Sequence, residues 1–351
     1  MTTYVIKRVL LMIPTLLGIS VIVFAMVRWA PGNPVLMDIR GEAGAVNVKL
    51  MPDADLIKMR ERMYGLDKPI PVQYAQWLKR VVTLDLGESI TEHRPVKQMI
   101  GERIGLTIKL NLLAAILGYV ISIPLGLMAA KARFASKVRR FFFDTSSGVV
   151  LLVLYSLPSI FVGTLLIVLF SRGGVVADWI EVNHPAWSWL IMPIGGVSSP
   201  KVDELPFWAY FRDMARHYVL PVMTLTITGL AFEAKLARTA LLENLRLDYV
   251  RTAYAKGLRE RTVVYVHALR NSLLPMITVM VSILPGIISG TVIVEQIFNL
   301  PGMGQLFWQA VTRRDYEMIQ AISIIGAVLT LVELLVADIL YAVVDPRVRY
   351  D

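Results

Sequence analysis

Four uncharged apolar runs, Val9–Val27, Leu110–Ala130, Thr145–Ser171 and Asn271–Val294, decide what this chain can fold into. A helix needs about 20 consecutive apolar residues to cross a hydrocarbon core, and each run supplies that length. A backbone in lipid must satisfy its own N–H and C=O groups, so such runs become helices. Two more segments complete the set. Tyr218–Phe232 is short unless it borrows polar residues at its ends, and Met318–Val344 is interrupted by Glu333 and Asp338. The sequence therefore predicts an all-α integral membrane protein with six transmembrane helices. The composition, 56% hydrophobic and 18% charged, disfavours an ordinary soluble fold.

Basic residues give the orientation, because short cytoplasmic loops collect Lys and Arg. Lys131, Arg133, Lys137, Arg139 and Arg140 follow the second span; Lys235, Arg238, Arg246, Arg251, Lys256, Arg259, Arg261 and Arg270 follow the fourth. With Lys7 and Arg8 at the start and Arg347 and Arg349 at the end, six spans place both termini and both basic loops in the cytoplasm. Ala186–Pro200 is also uncharged, but Pro193, Gly195, Gly196 and Pro200 would leave backbone groups unpaired in lipid. It reads as an interfacial or re-entrant loop. The first run is too long for a usual signal peptide, lacks a small-residue cleavage site and ends on the interfacial Arg28-Trp29, so it reads as a retained helix.

The organisation that follows is an N-terminal spanning helix at 1–27, an outer loop at 28–103, a five-helix core at 104–344 with a cytoplasmic loop at 237–270, and a tail at 345–351. In the outer loop, Leu56, Met59 and Met63, then Tyr74, Trp77, Leu78 and Val81, recur at helical spacing. They predict a small helical cap at the outer surface.

Self-contained enzymes are disfavoured by what is missing. There is no G-x-x-x-x-G-K-[ST] phosphate loop and no G-x-S-x-G elbow, and His93, His184, His217 and His267 are not paired at metal-ligand spacing. Absence of Cys removes thiolate chemistry. No catalytic, cofactor or metal site is expected in this chain. The net charge of +9 lies at membrane boundaries rather than in a groove with interleaved aromatics, so nucleic acid is not an expected partner. Of the charges associated with spans, Lys109, Glu233, Glu295 and Asp338 stand near span ends, within reach of the interface, and Glu333 is deeper. Glu333 is the candidate to face the pore or a partner subunit, with an interhelical hydrogen bond as the other reading. Tyr155-Ser156-Leu157-Pro158-Ser159 predicts a kink in the third span, and Asn111, Ser122, Pro124 and Gly126 allow close packing of the second.

The segment from Asp248 to Leu258 has a different character. Nothing from Asp248 to Ala255 breaks a helix, Ala253 and Ala255 are small enough for another protein to approach closely, and Gly257 supplies a stop. Arg259–Arg270 is again helical in composition and basic. This is a short helix, a Gly turn and a second helix beside the membrane, offering Asp248, Tyr249, Arg251, Thr252, Ala253, Ala255, Lys256, Gly257 and Leu258 to a cytoplasmic partner.

Thr252-Ala253-x-x-x-Gly257, followed by His267-Ala268-Leu269-Arg270-Asn271 and Leu274-Pro275, resembles the "EAA" loop of permease subunits in binding-protein-dependent ABC importers, in its dipeptide, oligopeptide and nickel version. Arg251 and Thr252 stand where the general motif has Glu and Ala. The resemblance continues through Ile13-Pro14, Pro31-Gly32-Asn33-Pro34, Gly65-Leu66-Asp67-Lys68-Pro69, Asp85-Leu86-Gly87, Pro301-Gly302-Met303-Gly304, Arg314-Asp315-Tyr316 and Asp345-Pro346-Arg347. It implies the type I ABC permease fold in a prokaryotic inner membrane, moving peptides or a related solute. It also implies a second homologous permease, two ATP-binding subunits that hold ATP and Mg, and an extracytoplasmic solute-binding protein. In that mechanism closure of the ATPases draws the Ala253 helices together and switches the pore between outward-open and inward-open states. The competing reading is a secondary transporter run by an ion gradient, which needs midplane carboxylates and inverted repeats with broken helices. Glu333 is its only evident support.

Overall fold

The computed structural model describes residues 2–29, 55, 58, 59, 62, 67–132, 141, 146–282, 286, 288 and 290–344. Four long helices are apolar enough to span a membrane: α1 (Thr2–Trp29), α3 (Val96–Ala132), α7 (Phe207–Asn244) and α12 (Tyr316–Val344). Between them run α2 (Ile70–Val82), α4 (Ser147–Ser156), α5 (Ser159–Phe170), α6 (Val175–Asn183), α8 (Asp248–Ala255), α9 (Leu274–Ser282), α10 (Val292–Ile297) and α11 (Met303–Arg313). Of the Asp53–Tyr64 part of the expected cap only residues 55, 58, 59 and 62 are described, all helical and exposed; the basic residues 133–140 and the tail lie outside the described residues. Of the cap, α2 is present. It turns Tyr74, Trp77, Leu78 and Val81 onto Phe24 of α1 and Ile324 of α12.

Several sequence expectations change. Tyr218–Phe232 is the middle of a 38-residue helix, α7, because the charged residues on either side continue it beyond the lipid. The expected boundary at 103/104 falls inside α3, which already begins at Val96. Pro158 does more than kink the third span. It caps a new helix, and α4 and α5 meet at 101°. Asn271–Val294 is not one helix either: Gly290 has φ +75°, Thr291 is extended, and a separate helix, α10, starts at Val292. By length and apolarity alone the described helices make four spans, or five with the bent pair. Residues 191–200 form no helix. They are pinned into the bundle by Met192 N–H to the Phe170 carbonyl and Gly196 N–H to the Phe298 carbonyl, both 2.8 Å.

The centre of the fold is the seam between α3 and α7. Down α3, Ala114, Gly118, Ser122, Gly126 and Ala130 recur every fourth residue, and all are buried. Small residues at this spacing let two backbones approach closely, which is how helices associate where lipid offers no hydrophobic driving force. At Gly126 there is no room for more: a Cβ would lie 2.6 Å from Ala237 Cβ, 2.7 Å from the Ala234 carbonyl oxygen and 2.9 Å from Arg238 N. Glu233 enters the same seam from α7, only 7% exposed, and its Oε2 would sit 2.9 Å from a Cβ on Gly118. Its side chain is turned into the seam rather than outward. Among the described residues neither Glu233 Oε2 nor the buried Ser122 Oγ has a hydrogen-bond partner. By contrast, Asp338 is held at the bundle edge by Arg8 Nε at 3.0 Å and the Tyr4 hydroxyl at 2.9 Å.

At the end of the bundle away from α8, two carboxylates organise the turns. Asp315 is 2% exposed and accepts hydrogen bonds from the Ser89 hydroxyl, the Thr91 hydroxyl (3.1 Å), Ile90 N–H (3.3 Å) and Met318 N–H (3.2 Å). With Arg80–Glu317 at 2.8 Å and Arg313–Glu92 at 2.6 Å, it fastens the 80–92 stretch to the α11–α12 turn. Glu295, 1% exposed, accepts Gln305 N–H (2.8 Å) and the Thr107 hydroxyl (3.0 Å), while Thr107 Oγ accepts Met303 N–H (2.8 Å). The carboxylate thus satisfies the first turn of α11, where backbone N–H groups otherwise lack partners. Gly302 makes room for it, since a Cβ there would lie 2.4 Å from Glu295 Cδ. This is the physical content of Pro301-Gly302-Met303-Gly304. Removing the carboxylate leaves two buried donors unpaired, so Glu295→Ala is expected to cost on the order of 3 kcal/mol. Thermal unfolding of the detergent-purified variant measures it; an unchanged midpoint would contradict the capping role.

Candidate functional site

Helix α8 follows the end of α7 after a three-residue turn and has two faces. Val250 (1% exposed) and Ala253 (7%) turn inward, against Leu127 and Ala130 of α3, Leu241 and Leu242 of α7, and Val263, Val264 and Ala268 beyond. Tyr249 is half-buried and donates its hydroxyl to Asn244 Oδ1 at 2.9 Å, tying α8 to the last turn of α7. The helix is therefore fixed to the ends of both long helices by apolar burial. The small side chain of Ala253 is taken up by that packing, while Ala255 is exposed.

The outward face is polar. Asp248, Arg251, Thr252, Ala255 and Lys256 are exposed, with Leu258 39% exposed beside them. The side chains of Asp248 and Arg251 are 92% and 75% exposed and meet at 3.3 Å, a pair too well solvated to hold the helix together. The stability of this chain does not account for these residues. The face ends in a Schellman turn: Leu258 N–H bonds to the Ala253 carbonyl (3.3 Å), Gly257 N–H to the Tyr254 carbonyl (2.9 Å), and Gly257 sits at φ +75°. Nothing lies within 4 Å of the position its Cβ would occupy, so Gly is favoured by the backbone conformation and not by crowding.

Beyond the turn, Glu260–Thr262, a π-helical segment Val263–Ala268 and Leu269–Ser272 lead back towards α9. Val263, Val264 and Ala268 face the apolar cluster while Tyr265 and Val266 face out. Lys131, at the end of α3, places its ammonium 5.0 Å from the centre of the Tyr265 ring.

Of the residues singled out in the sequence, Asp248, Tyr249, Arg251, Thr252, Ala253, Ala255, Lys256, Gly257 and Leu258 thus fall on one helix and its cap, seven of them exposed. Glu333 lies elsewhere, 9% exposed in α12. Sequence reasoning misses Glu295 and Asp315 as organising groups. Their signal is faint: an acid followed within ten residues by Gly-x-Gly, and an acid at the junction of two apolar helices. Among the described residues no group of three or more His, Asp or Glu is placed to hold a metal ion.

The chain matches the family described as "Binding-protein-dependent transport system inner membrane component" over residues 122–350, and that family's N-terminal component over residues 1–111. It is 36% identical to the oligopeptide transport system permease protein AppB of Bacillus subtilis, covering 100% of both chains. It is 33% identical to the dipeptide transport system permease protein DppB of Escherichia coli (100% and 99% covered) and 30% identical to the peptidoglycan transport system permease protein YejB of Agrobacterium fabrum (100% and 99%). Among solved structures it is similar to inward-facing conformations of the MetNI methionine ABC transporter, with a TM-score of 0.51 over 72% of this chain and 98% of that one. At 15% identity this last likeness is one of fold.

Proposed function

Since the chain belongs to the family of inner-membrane components of binding-protein-dependent transport systems, we propose that it is the peptide-carrying permease subunit of an ATP-driven importer, coupled to separate ATPases through α8. The membrane-embedded permease role comes with the family. The peptide cargo, the partners and the orientation are the proposal. Relatives named for oligopeptide and dipeptide transport, matched over their whole length, support the cargo.

One observation carries the coupling role. The polar face of α8 contributes little to this chain's own stability, yet its inner face is packed onto the ends of α3 and α7. A partner that pulls on α8 moves both helices. The partners in this reading are two ATP-binding subunits, which hold the ATP and Mg, a second homologous permease, and an extracytoplasmic solute-binding protein that supplies the peptide. Both termini and α8 are cytoplasmic, as the Lys and Arg distribution supports. Family membership removes the reason for a gradient-driven carrier, whose only support was one buried acid.

The test is to purify the tagged chain from its native membrane and read composition and ATPase activity together. The expected result is recovery with a second permease and ATPase subunits, with hydrolysis stimulated by peptide-loaded binding protein. Recovery of a lone, ATP-indifferent protein would overturn the proposal.

A further inference from the structure

We propose that the outward face of the 259–270 segment is a docking site for anionic phospholipid headgroups of the leaflet on the α8 side. It is distinct from the polar face of α8. Arg259, Arg261 and Arg270 are exposed along it, with the apolar Tyr265 (47% exposed) and Val266 (56%) between them. None of the three arginines has an ion-pair partner among the described residues. An aliphatic and an aromatic side chain in the middle with guanidinium groups at both ends fits the boundary between acyl chains and phosphates.

Three features favour lipid over a protein occupant. First, exposed side chains recur from Val266 and Arg270 through Pro275 to Met280 (56% exposed) on α9, an apolar helix, so the face adjoins an exposed apolar surface of the kind that lipid covers. Second, the charge is one-sided. Glu260 is the sole acid from 259 to 270, and guanidinium groups match phosphate oxygens in paired hydrogen bonds. Third, Tyr265 and Val266 are exposed side by side, and Lys131 brings a fourth cation to the Tyr265 ring. That cation comes from α3, so a bound headgroup would bridge the end of a long spanning helix to the segment leading into the next. A juxtamembrane basic cluster of this kind gains attraction from an anionic leaflet with each Lys or Arg.

The inference rests on α8 lying on the cytoplasmic side, and its test is built so that it can fail separately from the importer reading. The full chain, with whatever subunits copurify, is exchanged into nanodiscs of phosphatidylcholine with or without phosphatidylglycerol. Retained lipid is counted by mass spectrometry after detergent release, and ATPase subunits are quantified in the same sample. The wild type is expected to retain phosphatidylglycerol over phosphatidylcholine. The Arg259→Gln/Arg261→Gln/Arg270→Gln variant should lose that preference by on the order of a hundredfold, from three cations at an anionic surface, with ATPase recovery unchanged. The matching Arg→Lys triple variant should keep it, which separates lost charge from lost folding. A Gln variant that retains phosphatidylglycerol as the wild type does overturns the proposal. So does one that loses ATPase subunits while retaining the lipid, which would make this face a protein contact. A wild-type chain recovered without any ATPase, but with charge-dependent lipid retention, sinks the importer reading and sustains this one.

Discussion

Replacing Gly126 with Leu is expected to abolish accumulation of folded protein. The position has no slack, because the first atom of any side chain would already fall 2.6–2.9 Å from Ala237 Cβ, the Ala234 carbonyl and Arg238 N. Two of those three are backbone atoms of α7, which cannot swing aside as a side chain would. Overpacking a tight interior typically costs about 1–3 kcal/mol even for small additions. Ala is therefore expected to lower stability by about that much, and Leu by more than the roughly 5–15 kcal/mol margin tolerates once strain spreads along the seam. The measurements are steady-state amount in the membrane and thermal unfolding in detergent. Gly101→Ala and Gly105→Ala are the controls on the same helix, since nothing lies within 4 Å of either Cβ position. They should be neutral, or stabilising by up to about 1 kcal/mol from helix propensity. A Gly126→Leu protein that accumulates and melts like the wild type would mean that α3 and α7 are not packed in this way.

The second large effect concerns coupling, with the fold left standing. Gly257→Asp should leave membrane abundance within about twofold of wild type but reduce peptide-stimulated ATP hydrolysis at least tenfold, the loss of about 1.4 kcal/mol of docking free energy. The reasoning separates backbone from surface. At φ +75° most side chains are strained, but Asp and Asn visit this region more readily than other residues, and the surrounding space is open. The helix should still close its Schellman turn. What changes is the tip of the exposed face, where a carboxylate would stand beside Lys256 and Leu258. Gly257→Asn makes the same backbone demand without the charge and should retain most of the coupling. Normal peptide-stimulated hydrolysis in the Asp variant would refute α8 as the coupling surface.

The features legible in the sequence are those set by local chemistry. An uncharged apolar run is a helix in lipid whatever its neighbours, and Gly257 ends α8 through contacts made within six residues. The inward turn of Ala253 depends on where α3 and α7 end, and no local pattern carries that. Glu295 is a stronger case: its hydroxyl partner, Thr107, is 188 positions away, so distance from a span end cannot show that it is buried. The length of α7 is underestimated from sequence because charge marks the limit of the lipid, not the limit of a helix. The α3 stripe, on the other hand, is written plainly as small residues every fourth position. Ser122 and Gly126, taken together with Ala114, Gly118 and Ala130, locate the seam.

The α3–α7 seam also has a mechanical meaning. Each helix is about 55 Å long at 1.5 Å per residue, roughly twice the thickness of the hydrocarbon core. Two such rods, packed along a stripe of small residues with Glu233 lodged against Gly118, move as one beam, and α8 is its handle. A tilt of about 10° about one end would carry the other end on the order of 10 Å, by the same dimensions. The chain changes direction elsewhere, at the 101° break between α4 and α5. A displacement applied at one membrane surface would then reach the opposite surface as a swing of the beam.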